Sequence, residues 1–386
     1  TSRHFDVIVL GLGGIGSAAA LQAAERGLRV LGVEQYTPAH NLGSSHGQTR
    51  AIRKAYFEHP DYVPLLQDAY TGWSNLEQAS GKKIFERVGM LQVGPPDGEV
   101  CGGIQLSAQQ HGLPIETFAP SEFRRRFPAL HIADEDIGIL EQDAGFLHVE
   151  RGVQTHLDEA TRHGAELHFE EPVRDWSCDE ATGHVSLTTD TQTYRADRLI
   201  VAAGSWATRQ LANLRDHLSV VRKHLHWFTY TSDRHDFGTG SDPFALGRLP
   251  VFFFETLGGF FYGFPTVDEF GLKVAEHSGG TPIASPEGDD RRPEQRDSKR
   301  VGAFLAERFP SSDFHRSRHA VCFYTVSPDH HFVLELHPNH PRVAYVAGLS
   351  GHGYKFAPAL GRALVDLTID GHTDLPIEFL SSRRFA

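Results

Sequence analysis

Three glycines near the start of the chain, Gly11, Gly13 and Gly16, have the spacing of a loop that binds phosphate groups. They follow an apolar run over residues 5–10, typical of a buried parallel strand, and precede a helical pattern over residues 17–24. Gly11 would allow the tight turn, Gly13 would let the backbone approach a pyrophosphate, and Gly16 would let helix pack on strand. The N–H groups and positive dipole end of this helix would attract the phosphates.

An acidic residue, Glu34, closes the next predicted strand, which covers residues 29–33. Its carboxylate could accept hydrogen bonds from the hydroxyl groups of a ribose. The glycine pattern is weak evidence when it stands alone. Set between two strands and a helix, with an acid at the end of the second strand, it predicts a site for NAD or FAD.

Two further segments favour FAD. Residues 197–206 form an apolar run that ends in small residues, and residues 172–194 before it predict short strands in place of a helical crossover. Near the other end, residues 342–347 predict a strand that enters the glycine-rich stretch 348–355, followed by a helix through Leu360. The positive end of that helix would suit a flavin pyrimidine, which becomes anionic on reduction.

The composition predicts a globular protein that handles small molecules. The chain has 386 residues, 40% of them hydrophobic, so we expect two domains. A net charge of −12 without a basic run argues against nucleic acid or an anionic membrane as a partner. We find no apolar stretch near the roughly 20 residues of a spanning helix and no signal peptide, and therefore expect a cytoplasmic protein.

The three cysteines, Cys101, Cys178 and Cys322, are too few and too scattered for a disulfide framework or a zinc site. We therefore expect a reducing compartment and no metal. Cys322 lies among apolar and aromatic residues in the stretch HAVCFYTV. A lone buried cysteine is usually a small hydrophobic residue, and these residues alone favour that interpretation.

The middle of the chain predicts a small antiparallel sheet. The glycine pair Gly258-Gly259 would form the turn of a β-hairpin between residues 251–256 and 260–264. Residues 272–277 predict a third strand.

Cationic side chains occur in two segments that we expect to be extended, residues 272–277 and residues 49–55. Alternation would place Lys273 and His277 on one face of a strand, about 13 Å apart. A lysine within an apolar strand is more often a surface charge on an exposed edge. Arg50 and Arg53 would point to opposite faces if residues 49–55 are extended.

Several segments match one known family in the same order: residues 11–16, 43–53, 262–265, 271–273, 320–325 and 348–356. By these motifs the chain resembles the monomeric sarcosine oxidases and N-methyltryptophan oxidases, which are FAD-dependent amine oxidases. The resemblance implies an α/β fold: an FAD-binding Rossmann-type domain, similar to that of glutathione reductase, and an α+β substrate domain with a mainly antiparallel sheet. We expect the FAD-binding domain to comprise residues 1–85, 147–215 and 320–386, and the substrate domain residues 86–146 and 216–319.

The resemblance also implies roles for residues of the site. Cys322 matches a cysteine that is linked through sulfur to the flavin 8-methyl group, which implies a covalent thioether to FAD. Lys273 matches a lysine that activates oxygen over the flavin, and His277 matches an active-site histidine. Arg53 and Lys355 match a pair that holds the substrate carboxylate.

Further residues complete the expected site. Arg50 matches a residue of the flavin environment and, with Tyr262 and Tyr324, is expected to be catalytic. Phe253 matches a substrate-contacting position whose residue type varies within the family. The residues expected to contact FAD are Gly11, Gly13, Gly14, Ile15, Gly16, Glu34, Gln35, Ser44, Ser45, Thr49, Arg50, Val173, Ala203, Gly204, Trp206, Cys322, Phe323, Gly351, His352, Gly353 and Lys355. Ser45 departs from the family, in which a pair of histidines is common at the positions of Ser45 and His46.

The implied activity is the oxidation of a secondary α-amino acid by a monomeric enzyme. Sarcosine is the first choice, and sarcosine, O2 and water would give glycine, formaldehyde and H2O2. N-methyltryptophan, other N-methyl amino acids, proline and pipecolate are alternatives. Two other classes stay open: a flavin dehydrogenase with an acceptor other than oxygen, and a non-catalytic FAD-binding subunit.

Overall fold

The computed structural model describes residues 4–179, 182–232 and 242–385. The helices of this part are α1 Gly14–Glu25, α2 Tyr62–Ser80, α3 Glu99–His111, α4 Pro120–Arg126, α5 Val149–Arg162, α6 Ala207–Gln210, α7 Gln295–Arg308 and α8 Ala357–Asp370. Its strands are β1 His4–Leu10, β2 Val30–Val33, β3 Thr49–Ile52, β4 Phe85–Glu86, β5 Met90–Gly94, β6 Glu116–Phe118, β7 Ile137–Glu141, β8 Gly145–His148, β9 Glu166–His168, β10 Val173–Cys178, β11 Val185–Thr189, β12 Thr193–Val201, β13 Ser219–Ser232, β14 Val251–Thr256, β15 Gly259–Phe264, β16 Leu272–Glu276, β17 Thr281–Ile283, β18 Ser312–Val326, β19 Val333–His337 and β20 His340–Ala347.

The first sheet brings the predicted phosphate loop and the acid to one edge. β1 pairs in parallel with β2 and with β12, and β12 pairs in parallel with β20. Leu10 is aligned with Val33 of β2 and with Val201 of β12. Gly11 and Glu34 therefore leave the sheet side by side, at the carboxyl edge where α/β folds bind their ligands.

The expected meander is confirmed. β10 and β11 form an antiparallel hairpin, and β11 continues in antiparallel pairing onto the first half of β12. This hairpin covers most of the segment 172–194, in which the sequence predicted short strands.

Helices α1, α5 and α8 pack together against the first sheet. α1 is rich in alanine and glycine, so its neighbours approach closely: a Cβ added to Gly361 of α8 would lie 2.8 Å from the backbone nitrogen of Ala19. This close packing fixes the N-terminus of α1 above the edge of the sheet.

The second sheet is mainly antiparallel, as expected, with the order β17-β13-β16-β15-β14-β5-β7-β6 and β18 paired with β13. The strand alternation of β14 sends Phe252 and Phe254 to a core that contains Phe304 of α7. Phe253 points to the opposite face, where Tyr262 also lies. That face forms one side of the site described below.

The hairpin turn lies one residue earlier than predicted. Thr256 pairs with Gly259, so Leu257 and Gly258 form the turn. The Thr256 hydroxyl donates to the Gly259 carbonyl at 2.7 Å and accepts a hydrogen bond from the Gly258 N–H at 3.2 Å, which closes the turn before Gly259.

β18 crosses the predicted domain boundary at residue 320 and pairs along its length with β13. Cys322 is therefore carried by a strand of the second sheet. The division of the chain into FAD-binding and substrate segments stays a prediction. In the described ranges, no helix combines the length and apolar character needed to cross a bilayer.

Candidate active site

A large cavity, here called the nucleotide cleft, opens at the carboxyl edge of the first sheet. Its empty volume is about 1410 Å³, and its lining extends from the glycine loop to β18. Gly11 has a φ of 88°, and a Cβ there would lie 2.5 Å from the Ala202 carbonyl oxygen. Gly16 lies outside the lining, and a Cβ there would lie 1.8 Å from the Gly11 carbonyl oxygen. The turn and the helix contact thus both require glycine.

The start of α1 presents N–H groups to the cleft. Gly13 is the N-cap residue, and a Cβ there would approach nothing closer than the Ser45 Oγ at 3.7 Å. The Gly14 N–H donates to the Ser45 hydroxyl at 3.0 Å. Ser45, which departs from the family pattern, therefore adds a hydroxyl beside a helix N-terminus suited to a phosphate.

Glu34 holds the glycine loop from the end of β2. Its carboxylate accepts hydrogen bonds from the backbone N–H groups of Leu12 at 2.9 Å and Tyr36 at 3.2 Å. His40 Nε2 lies 3.5 Å from the same carboxylate. A carboxylate accepts about four hydrogen bonds, so Glu34 keeps capacity for a ribose hydroxyl at the cleft it lines.

Cys322 faces the nucleotide cleft beside a half-buried cation, Arg50. Its Sγ lies 3.4 Å from Nη2 of Arg50. The Arg50 guanidinium is held by the carbonyl oxygens of Ser44 at 2.8 Å and Thr49 at 2.9 Å.

A smaller cavity, here called the inner cavity, adjoins the cleft and has an empty volume of about 530 Å³. Arg50, Tyr324, Gly351 and Tyr354 line both cavities. A ligand that fills the cleft would therefore reach the inner cavity at these four residues.

Two buried cations, Arg53 and Lys355, line the inner cavity. One nitrogen of Arg53, Nη2, donates to both carboxylate oxygens of Glu58, at 2.9 and 2.8 Å. Lys355 Nζ donates to the His352 carbonyl at 2.7 Å and to the Tyr56 hydroxyl at 3.3 Å. Arg53 Nε has no hydrogen-bond partner.

Burial lowers the pKa of Lys355 well below its ordinary value, and the positive charge of Arg53 lowers it further. Burial and the charge of Lys355 likewise lower the pKa of His352. A second negative group in the inner cavity would oppose both effects and restore the charge on Lys355.

His277 also lines the inner cavity, where it lies among aromatic rings. Its Nδ1 is 3.4 Å from the Tyr324 hydroxyl, and its ring centroid lies 5.7 Å from that of Phe253 and 6.3 Å from that of Tyr262. Burial, followed by the charge of Lys223, lowers the pKa of His277 to about 3. The imidazole is therefore neutral at physiological pH and can accept a hydrogen bond through one ring nitrogen.

Lys273 lies beneath the site and lines neither cavity. Its Nζ donates to the carbonyl oxygens of Gly47 at 2.5 Å and Thr49 at 2.8 Å, and to the Thr49 hydroxyl at 3.2 Å. Burial, followed by the charge of Arg50, lowers its pKa well below the ordinary value. Lys273 is thus a buried residue and not a surface charge on an exposed edge.

These cations are bound mainly by neutral groups. Arg50, Lys273 and Lys355 donate to carbonyl and hydroxyl oxygens, while Arg53 has the carboxylate of Glu58. Buried charges without counter-ions are costly, so an anionic ligand would be stabilised here. A flavin that gains negative charge on reduction and a substrate carboxylate both fit this environment.

Most of the residues predicted for the site line the two cavities. Those that line the nucleotide cleft are Gly11, Gly13, Gly14, Ile15, Glu34, Gln35, Ser44, Ser45, Arg50, Val173, Ala203, Gly204, Trp206, Cys322, Phe323, Tyr324, Gly351 and Gly353. Those that line the inner cavity are Arg50, Arg53, Phe253, Tyr262, His277, Tyr324, Gly351, His352 and Lys355. Gly16, Thr49 and Lys273 support the cavities from behind.

The sequence analysis missed residues that the structure adds to the site. Tyr56 and Glu58 contact the two cations of the inner cavity, and Tyr354 lines both cavities. A signal was available, since Tyr56, Phe57 and Glu58 follow Arg53 within one short loop. An aromatic pair and an acid so close to a buried arginine could have indicated its partners.

A group of potential metal ligands lies away from both cavities. His4, His184 and Asp197 each offer a ligand atom within 4.8 Å of the others. His4 begins β1, whereas the nucleotide cleft opens where β1 ends. These residues therefore take no part in the site described above.

Comparison with known proteins agrees with this geometry. The FAD dependent oxidoreductase family matches residues 6–367. The monomeric sarcosine oxidase of Streptomyces avermitilis is 39% identical over 389 residues, which is 100% of this chain and 99% of that protein. The N-methyl-L-tryptophan oxidase of Yersinia pestis is 34% identical over 385 residues, 99% of each chain.

Solved structures agree on the fold. The open form of an amino acid oxidase essential for nikkomycin biosynthesis has a TM-score of 0.83 at 24% identity and is matched over 98% of each chain. With matches of this length, the protein belongs to the FAD dependent oxidoreductase family, in the group that contains the monomeric sarcosine oxidases and N-methyltryptophan oxidases.

Proposed function

We propose that this protein oxidises secondary α-amino acids, with sarcosine as the preferred substrate and O2 as the electron acceptor. The products would be glycine, formaldehyde and H2O2. The observation that carries the proposal is that the cations Arg53 and Lys355 line the same inner cavity as neutral His277. An amino acid could be held by its carboxylate while its nitrogen donates a hydrogen bond to His277.

The carboxylate would bind between Arg53 and Lys355. An arginine fork donates two hydrogen bonds to a carboxylate, and a lysine adds a compact charge. Glu58 already binds Arg53 Nη2, so the incoming carboxylate must share or take over this partner. Burial and the charge of Arg53 lower the pKa of Lys355, and an incoming carboxylate would oppose this shift and favour the charged lysine.

The substrate amine would react in its uncharged form. Burial keeps His277 neutral, and we propose that this imidazole accepts a hydrogen bond from the amine N–H and so favours the uncharged form, with the Tyr324 hydroxyl 3.4 Å from its Nδ1 to orient the ring. Burial raises the pKa of Tyr262 and that of Tyr324, so both hydroxyls stay protonated and can donate hydrogen bonds. The aromatic lining excludes water from the C–H bond that breaks.

The nucleotide cleft would hold FAD, with its pyrophosphate at the start of α1 and its ring system beside Arg50 and Tyr324. Bound FAD supplies the two-electron acceptor for the substrate and passes those electrons to O2. We propose that Cys322 forms a thioether to FAD, supported by the thiol's position beside Arg50 in the cleft lining. Lys273, buried behind Thr49, would supply positive charge for the step with oxygen.

We also propose that the enzyme is a monomer that acts in the cytoplasm. The monomeric sarcosine oxidase of Streptomyces avermitilis is a full-length relative. Cys101, Cys178 and Cys322 are free thiols in the structure, as is usual in a reducing compartment.

Anaerobic reduction tests the substrate class. Sarcosine, N-methyl-L-tryptophan, L-proline and L-pipecolate are mixed separately with the oxidised holoenzyme, and the flavin absorbance is followed. We expect sarcosine to bleach the flavin fastest and air to restore the colour with release of H2O2. No bleaching by any secondary amino acid would contradict the proposal. Restoration of colour by an artificial acceptor but not by O2 would indicate a dehydrogenase.

A further inference from the structure

Two imidazoles and a carboxylate converge at the edge of the first sheet that lies away from the nucleotide cleft. Oδ1 of Asp197 lies 2.8 Å from Nε2 of His4 and 3.1 Å from Nδ1 of His184. The three atoms all lie within 4.8 Å of one another. We call these three residues the His-Asp cluster.

The register of three neighbouring strands places the cluster. β12 lies between β1 and β11, parallel to the first and antiparallel to the second. Ala196 of β12 is aligned with the second residue of β1 and with the first residue of β11. His4 and His184 directly precede those two residues, and Asp197 directly follows Ala196. Backbone pairing therefore holds the three ligand residues one position from the same row.

The spacing of the three atoms suits one metal ion. Zinc binds nitrogen and oxygen ligands at about 2.0–2.2 Å, so two ligand atoms of one ion lie at most about 4.4 Å apart. Small movements of the side chains bring the cluster within that limit. Two imidazoles and one carboxylate favour Zn²⁺ over Mg²⁺ or Ca²⁺, which prefer a shell of oxygen ligands.

Hydrogen bonding leaves one atom of the cluster unused. Nδ1 of His184 is shielded from solvent and has no hydrogen-bond partner among the described residues, although it lies beside the Asp197 carboxylate. A metal ion would use the lone pair of this nitrogen. Asp6, the nearby carboxylate of β1, is already bound by Arg29 Nη2 at 2.6 Å. The three side chains of the cluster are 33–44% exposed, so an ion can reach them and water can complete its coordination.

We propose that His4, His184 and Asp197 bind one Zn²⁺ ion that ties the start of β1 to β11 and β12. The ion takes no part in amine oxidation, because an extended strand carries Gly11 about 23 Å from His4. Its role is to stabilise the fold, since the three ligands meet only in the folded chain. The expectation of no metal rested on the cysteines, which bear on sulfur ligands alone.

Zinc titration of the holoenzyme, first freed of metal by a chelator, tests the proposal. Calorimetry should show one Zn²⁺ ion bound per chain by the wild type. His184→Ala and Asp197→Asn should each weaken binding about 100-fold or more, because the loss of even an outer-shell partner costs about 10- to 100-fold. Both side chains are partly exposed, so neither change disturbs the core.

A second pair of neighbouring histidines provides the matched control. The ring centroids of His337 and His340 lie 4.7 Å apart. In the described part of the chain, this pair joins no group of three ligand atoms within reach of one ion. His340→Ala should therefore bind Zn²⁺ with the wild-type affinity.

Thermal unfolding gives a second readout. Zn²⁺ at about 100 times its dissociation constant should raise the Tm of the wild type and of His340→Ala by about 3 °C. The same concentration should leave the Tm of His184→Ala unchanged.

Three results would overturn the proposal: no zinc bound by the wild type, wild-type affinity in both His184→Ala and Asp197→Asn, or loss of binding in His340→Ala alone. None of these readouts depends on turnover, so the result stands whether or not the protein oxidises sarcosine.

Discussion

The nucleotide cleft and the inner cavity adjoin each other but differ in the atoms that face a ligand. The cleft begins with backbone N–H groups at Gly13 and Gly14, placed by glycines that allow close approach. The inner cavity is lined by the side chains of Arg53, Lys355 and His277. Backbone groups have fixed partial charges, while the pKa values of Lys355 and His277 depend on burial and on neighbouring charges. Ligand binding in the nucleotide cleft should therefore depend mainly on the shape of the backbone, and ligand binding in the inner cavity mainly on the charges of its side chains.

Because the two cavities differ in this way, we expect mutations in them to impair different properties of the enzyme. Changes in the cleft should affect whether FAD is held, and changes around the inner cavity should affect individual rates and affinities. The predictions below run from the largest expected effect to the smallest.

Loss of the Cys322 thiol should have the largest effect, on the retention of flavin, because the proposed covalent bond between Cys322 and FAD cannot form without it. Acid-precipitated wild-type protein should remain yellow, and Cys322→Ser should release all of its flavin to the supernatant. Cys101→Ser is the control, since Cys101 is buried in α3, where burial raises its pKa to about 12. A colourless wild-type pellet would exclude the thioether.

Replacement of Lys273 should slow the reaction with oxygen. A unit charge about 4 Å away at an effective dielectric near 20 stabilises a developing anion by roughly 4 kcal/mol, or about a thousandfold in rate. Lys273→Met should therefore slow reoxidation of the reduced enzyme by O2 several hundredfold or more, with much less effect on anaerobic reduction. Stopped-flow absorbance measures the two half-reactions separately.

Two controls make the test of Lys273 specific. Lys273→Arg should retain more of the reoxidation rate than the methionine variant, since arginine stays charged when buried. Lys223 is another buried lysine, held by the Ser278 carbonyl at 2.6 Å, and Lys223→Met should leave reoxidation far less affected. A normal rate of reoxidation in Lys273→Met would mean that oxygen reacts near another residue, for example Arg50.

Removal of one carboxylate-binding cation should weaken anion binding. The loss of one of two buried partners costs about 2–4 kcal/mol, so Arg53→Met or Lys355→Met should raise the dissociation constant of acetate about 30- to 1000-fold at neutral pH. Titration followed by flavin absorbance measures it. If both variants kept the wild-type affinity, the carboxylate would bind at another place.

The glycine loop offers a matched pair that separates packing from ligand approach. Gly16→Ala should lower the free energy of unfolding by at least about 1–3 kcal/mol with or without flavin, because its Cβ would overlap the Gly11 carbonyl. Gly13→Ala has open space and should fold normally but incorporate less FAD. Thermal unfolding and flavin content distinguish them, and equal effects of the two changes would contradict the distinct roles.

The pH dependence of carboxylate binding should report Lys355. Its pKa is lowered in the empty cavity, and a bound carboxylate raises it, so binding takes up about one proton between these two pKa values. Acetate affinity should be constant below the lower pKa and fall about tenfold per pH unit as the pH rises through this window. Calorimetry in buffers of different ionisation enthalpy counts the protons, and Lys355→Met should abolish the uptake.

Much of the fold and of the nucleotide cleft follows from contiguous residues. The strand, the glycine loop, the helix and the acid at Glu34 lie within one segment, so strand and helix patterns suffice to order them. The roles of Cys322, Lys273, Arg53 and Lys355 were expected from the match of short motifs to a known family. The structure brings these residues to one site, which motif order alone does not require.

Other features depended on the tertiary structure. Arg50 and Cys322 are 272 positions apart, and their 3.4 Å contact requires β3, from the small sheet β3-β8-β4, to meet β18 of the second sheet. The strand pattern around Lys273 also fits a surface charge, and it is the contacts of its Nζ with Gly47 and Thr49 that show a buried lysine. Such contacts and the lowered pKa values arise from packing between distant segments, which no local pattern encodes. The sequence by itself determined the family, the dinucleotide loop and the identity of the reactive side chains. Only the tertiary structure decided which of them are buried and which partners they have, because burial and close packing are properties of the assembled chain.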